Sequence, residues 1–136
     1  MSISALLDKF AALERPLCIS ACSAPSEPLV DTSGGNPKGG VTSVNPGHWR
    51  TEWSPEAQCR WLTHVAAIAT SKPYVHSVCW HELFDGPKGA FWRADGLITS
   101  AGQPKPSMFR LAEIRQGLKE KKSPLTLPPL PTLHMA

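Results

Sequence analysis

Trp53 to Gly86 reads WSPEAQCRWLTHVAAIATSKPYVHSVCWHELFDG, and its grammar is helix, turn, strand. Ser54 suits an N-cap, Pro55 the first helical position, and Glu56 the positive end of a helix dipole. Ala57, Trp61, Val65, Ile68 and Ala69 recur on one face, the stripe of a helix packed on a core. Ser71-Lys72-Pro73 stops it. Val75 to Trp80 then runs without clean polar alternation. That is the pattern of a strand covered on both faces, as in parallel sheets.

Working outward, Leu17 to Cys22 (LCISAC) is a second segment of the same kind. Ahead of it, Ile3, Leu6, Leu7, Phe10, Ala11 and Leu13 are spaced for a helix over residues 2–13 with one buried face, closed by Pro16. Behind it, Pro106 to Leu118 is expected to form the last helix. Met108, Leu111, Ala112 and Ile114 would face inward, and Gly117 would loosen its end. The order helix, strand, helix, strand, helix makes the class α/β with parallel strands. Two parallel strands with two wet edges make a poor independent domain, so the chain reads as a slice of a larger architecture.

The 136 residues suffice for one modest domain, and 41% hydrophobic with 18% charged residues is an ordinary globular mixture. A net charge of +3 with scattered basic residues gives no footprint for nucleic acid. The run Lys119-Glu120-Lys121-Lys122 fits a solvated helix end. No apolar run is long enough to cross a bilayer, and the N-terminus reads as an amphipathic helix rather than a secretory signal, so the expected location is cytoplasmic. Fourteen prolines and ten glycines concentrate in a long loop, Ala24 to Gly47, and in the tail SPLTLPPLPTLHMA. Residues 1–119 read as the folded part and 120–136 as a proline-rich, disordered tail. Cys18, Cys22, Cys59 and Cys79 form no C-x-x-C pair, and the five histidines lack zinc spacing. Buried free thiols are expected, with no metal and no cofactor.

In a strand-loop-helix fold, functional groups gather at the carboxyl ends of the strands. One end here is Ser20 to Ser26. It holds no acid or base. Cys22 could act as a nucleophile only with a nearby base, and nothing in the spacing supplies one. The other end, Trp80-His81-Glu82-Leu83-Phe84-Asp85, is richer. Trp80 is either core or a flat stacking platform. His81 is either a structural residue or a proton carrier. Glu82 and Asp85 are loop and capping carboxylates or catalytic ones. Trp49 and Trp92 are further aromatic faces.

The segments PLCISACSAPSEP, WSPEAQCRWLTHVAAIATSKPYVHSVCWHELFD and WRADGLITSAGQPKPSMFRL resemble the C-terminal part of family 10 glycoside hydrolases, the endo-1,4-β-xylanases. The last is the most specific: a Trp-Arg loop, a short GLI element, and Gly-x-Pro-Lys-Pro opening the final helix. The resemblance implies a partial (β/α)8 TIM barrel, roughly its last two βα units, where a whole barrel takes about 250 residues. It places the nucleophile position on Ala21, which cannot attack an anomeric carbon. The acid/base glutamate would lie on a strand without counterpart here, and Glu27 and Glu82 are displaced from both positions. The implied catalytic set is therefore empty.

The resemblance leaves a sugar-facing surface of Trp80, Trp92 and Asp85, with His81 where some relatives carry another aromatic, and Trp49 as a further stacking face. It implies β-1,4-xylan or xylo-oligosaccharides as ligands. Three readings follow: an inactive hydrolase fragment, a non-catalytic sugar-binding or interaction module, and an enzyme completed by a chain supplying the missing strands.

Overall fold

The computed structural model describes residues 2–28, 49–87 and 94–130. Among these residues the elements are α1 (Ile3–Ala11), β1 (Leu17–Cys22), α2 (Pro55–Thr70), β2 (Val75–Trp80), α3 (Pro106–Lys119) and a single 3-10 turn (Pro124–Thr126). β1 and β2 pair in parallel, with Leu17 opposite Val75, Ile19 opposite Val78 and Cys22 opposite Trp80. The fold class is α/β, as the sequence order requires, and the arrangement is that of part of a (β/α)8 barrel. Among the described residues, no helix is long and apolar enough to cross a membrane.

Local chemistry sets each element. Ser54 Oγ accepts from the Ala57 amide at 3.1 Å, and Pro55 occupies the first turn of α2. Ser2 caps α1 in the same way, accepting from Ala5 at 3.2 Å. Asp8 on α1 then receives both Lys72 Nζ and Tyr74 Oη at 2.7 Å, which ties α1 to the turn entering β2. Those two donors hold the Asp8 carboxyl below its ordinary value, while desolvation and the Asp8 partner push the Tyr74 phenol up to about 12.

α2 is the central element, in contact with α1, β2, α3 and the 3-10 turn. Ala57 and Ala69 are wholly buried, and Leu62, Val65 and Ala66 nearly so. Leu62 lies at the centre of this stripe, whereas Trp61 and Ile68 stay half-buried on its flanks. Ala24, Trp53 and Ala57 form one core cluster, Leu62, Ala66 and Ile114 another, and the Trp80 ring packs against both.

Several burial expectations are corrected. The strands are covered on one face only. Leu17, Ile19, Val78 and Trp80 are half-buried beneath the helices, while Cys18, Ser20, Ser77 and Cys79 are exposed. Small uncharged residues satisfy the both-faces pattern without any cover being present. For the same reason Cys18 and Cys79 are exposed thiols, Cys22 is half-buried, and only Cys59 is buried. On α1, Leu7 alone is buried, and Ile3, Leu6, Phe10 and Leu13 are exposed. On α3, Ser107, Arg110, Ile114 and Gly117 are buried, and Ala112 is exposed. Gly117 does not loosen the helix: its carbonyl accepts from both Glu120 and Lys122 as the chain turns back. Residues 120–130, read from the sequence as the start of the tail, return along α3. Pro124 is buried, Leu127 packs on the second cluster, and Arg110 Nη2 donates to the Pro128 carbonyl at 2.7 Å.

One buried polar side chain joins the parts. Gln58, with no exposed surface, donates to the carbonyls of Ala24 (2.9 Å) and Gly96 (3.2 Å) and accepts from Ser107 Oγ (2.6 Å). It thereby links α2 to the loop after β1, the return segment at residues 94–98 and the start of α3. Gly96 is required there for a steric reason. A Cβ would meet the Phe84 carbonyl carbon at 2.3 Å and the Asp85 nitrogen at 2.4 Å, both backbone atoms that cannot yield.

Two substitutions test this arrangement by urea unfolding followed through tryptophan fluorescence. Gln58→Ala strands two buried carbonyls and a hydroxyl, and should cost roughly 2–4 kcal/mol. Gly96→Ala should separate residues 83–85 from 96–98 and lower the midpoint at least as far. An unchanged midpoint in either variant contradicts the packing described.

Candidate functional site

The two strands end side by side, with the His81 amide donating to the Cys22 carbonyl at 2.9 Å. Beyond them, residues 83–85 run along residues 96–98. Leu97 and Ile98 donate to the Leu83 carbonyl, Asp85 N donates to the Ile98 carbonyl at 2.8 Å, and Ile98 bridges onward to Pro104. A tight turn at residues 99–103 closes this return, using Gly102 at a positive φ of 82°.

A buried ion pair pins these loops together. Lys105, at the N-cap of α3 with its side chain 3% exposed, puts Nζ 2.5 Å from Asp85 Oδ1 and 2.8 Å from Ser26 Oγ. Asp85 Oδ1 also accepts from the Gly96 amide at 3.0 Å, and Ser26 Oγ donates to the Ala94 carbonyl at 2.9 Å. Asp85, read from the sequence as a sugar-facing carboxylate, is thus held by the fold's own cation and amide.

The tryptophans also carry structure. Trp80 Nε1 donates to the Asp95 carbonyl at 2.8 Å, and its half-buried ring meets Trp61 edge-on at a centroid distance of 6.0 Å. Trp49 is half-buried against the Ala24, Trp53 and Ala57 cluster, edge-on to His64, with the Arg50 guanidinium 4.8 Å above its ring. Burial first, then Arg50 and Arg60, push His64 below its ordinary value. Trp92 lies outside the described residues.

Ala21 is exposed at the end of β1, where the resemblance puts the nucleophile. The thiol beside it offers no replacement. Burial, with Cys79 adding to it, pushes Cys22 up to about 11, so its thiolate fraction at neutral pH is negligible. His81 and Glu82 are exposed and sit 3.6 Å apart at the end of β2. Among the described residues, no group of three or more His, Cys, Asp and Glu is arranged to hold a metal ion.

Sequence reasoning missed Asp95. It is 2% exposed, with its own amide and the Ser23 hydroxyl as hydrogen-bond partners. Burial pushes its carboxyl above the ordinary carboxylate range. Its own amide, His81 and Ser23 oppose that rise, and Glu82 adds to it. These influences identify its surroundings: Ser23 from the end of β1, and His81 with Glu82 from the end of β2. The only hint in the sequence was an acid directly before an obligatory glycine.

No protein-family model matches the chain, and no curated protein matches it. Among solved structures, it is similar to a β-glucuronidase of Faecalibacterium prausnitzii, with a TM-score of 0.57 and 19% identity over 89% of this chain. The match spans 18% of the β-glucuronidase chain. At this identity the likeness concerns the fold alone.

The clamp makes its own prediction. Asp85→Ala would leave the Lys105 ammonium buried without its counter-charge, a loss of roughly 3–5 kcal/mol. The double variant Asp85→Ala/Lys105→Met should recover much of that loss in a urea titration. If the single variant unfolds at the wild-type midpoint, the ion pair is not holding the loops.

Proposed function

We propose that this chain is an inactive glycoside-hydrolase-like unit, two βα units of a xylanase-type barrel, that binds a β-1,4-linked xylose chain without cleaving it. The reading joins the family 10 resemblance of the motifs to the hydrolase-like fold. The observation that carries it is Ala21. Ala21, the last residue but one of β1, has a methyl group where the family 10 resemblance expects the nucleophilic carboxylate, and retaining hydrolysis takes two carboxyl groups about 5 Å apart. What the site does present is suited to hydroxyl recognition: the exposed His81 and Glu82 at its rim, Ser23 beside them, and tryptophan edges behind.

A second reading concerns partners. The uncovered sheet face of Cys18, Ser20, Ser77 and Cys79 carries no charge, and β1 and β2 are the only strands of their sheet among the described residues. Such a face fits the interior of a closed barrel, so the partner would be a β/α chain contributing parallel strands. Co-sedimentation with a family 10 barrel lacking its last two units supports this, and independent sedimentation of the two chains rejects it.

For the primary reading, xylohexaose should raise the urea midpoint of the purified chain, by linkage of binding to folding. Nitrophenyl β-xyloside should remain intact under the same conditions. Release of nitrophenol would refute inactivity. A midpoint indifferent to xylohexaose would refute sugar binding.

A further inference from the structure

The uncovered face of the sheet carries two thiols on neighbouring strands. Cys18 on β1 and Cys79 on β2 are both free and exposed. The register fixes how they stand to each other. Cys18 lies opposite Ser77 and Ile19 opposite Val78, and Cys79 follows Val78. Ile19 and Val78 turn toward the helices, so Cys18, Ser77 and Cys79 rise from the other face. Cys79 is thus the diagonal neighbour of Cys18, two residues further along β2.

That diagonal decides what the pair can do. Strands lie about 4.8 Å apart and two residues advance about 6.6 Å, which puts the two α-carbons about 8 Å apart. A disulfide needs α-carbons within about 6.8 Å, because its sulfurs stand only about 2.05 Å apart. The diagonal is too long for a direct bond. An ion between two sulfurs asks less: two metal–thiolate bonds of about 2.3 Å span about 4.6 Å. Side chains that stand on one face and lean along their strands can close to that distance. Among the described residues no third ligand joins them, since no group of three or more His, Cys, Asp and Glu is arranged for a metal. Two thiolates alone do not meet the four-ligand shell of structural zinc, whereas soft thiolates select copper(I). Cys59 is buried within α2, and Cys22 is half-buried opposite Trp80, beyond the irregularity in the register.

We propose that Cys18 and Cys79 form a two-coordinate site for a soft monovalent metal ion of the copper(I) class, bridging β1 and β2 across their open face. The site goes beyond the sugar and partner readings and rests on neither. Each thiol gives up its proton to become a ligand, so one ion displaces two protons to water. No electron moves, and the copper enters and stays as Cu(I).

The test is an anaerobic titration of the full chain with Cu(I) in competition with bathocuproine disulfonate. The wild type should hold one ion per chain and remain a monomer in sedimentation. Cys18→Ser and Cys79→Ser should each lose the ion, while Cys22→Ser and Cys59→Ser should keep it. The ion should also raise the urea midpoint of the wild type, by linkage, and leave that of Cys18→Ser unchanged. In the wild type, Cu(I) should shield Cys18 and Cys79 together from iodoacetamide, a readout that needs no variant to fold. Retention of the ion by either of the first two variants overturns the proposal. So does shielding of only one of the two thiols, or an ion shared between two chains.

Discussion

The structure depends on where three backbone and side-chain groups find their hydrogen bonds. The carbonyls of Ala24 and Gly96 and the hydroxyl of Ser107 point into the same buried space, and the Gln58 amide is their common partner. An unpaired buried carbonyl opposes folding by about 1–3 kcal/mol, so one amide decides whether three separate segments can meet. Only one orientation of that amide works: two acceptor carbonyls demand the NH2 group, which leaves the oxygen for Ser107. Everything at the carboxyl ends of the strands is positioned through this junction. The Lys105–Asp85 pair then locks the same segments from the other side.

That dependence explains the character of the site. The residues with the most conspicuous chemistry, Asp85, Lys105, Trp49 and Trp80, are engaged in holding loops and core together. His81 and Glu82 lie exposed at the rim, and the buried Asp95 comes from a separate stretch of chain. The loop anchors carry the charges, while β1 ends on an uncharged Ala21-Cys22.

The elements were legible because their signals are local. Ser54-Pro55 marks the start of α2 in the sequence and caps it in the structure, and both strands fall on the segments Leu17–Cys22 and Val75–Trp80. Burial was less legible. A strand of Cys, Ser, Ala and Ile obeys the rule for two covered faces whether or not a second cover exists, and α1 shows an apolar stripe of which only Leu7 is enclosed. The roles of the side chains at the strand ends were not legible. A glutamine inside an apolar helix stripe looks like an exposed interruption, yet Gln58 has no exposed surface. Asp85 and Asp95 are indistinguishable as letters. Which of them is neutralised depends on Lys105, reached from a different element, and no spacing rule encodes that.

The clamp also bears on how the chain acquires its shape. Ser26 and Lys105 are 79 positions apart, whereas the bonds that cap α1 and α2 span three. Short-range elements can assemble early, because closing a small loop carries little entropic penalty. The Ser26–Lys105–Asp85 contact closes a far longer loop and carries a larger entropic cost. Long sequence separation of this kind slows folding. The same contact that fixes the strand ends therefore weighs more on the speed of folding than the helix caps do.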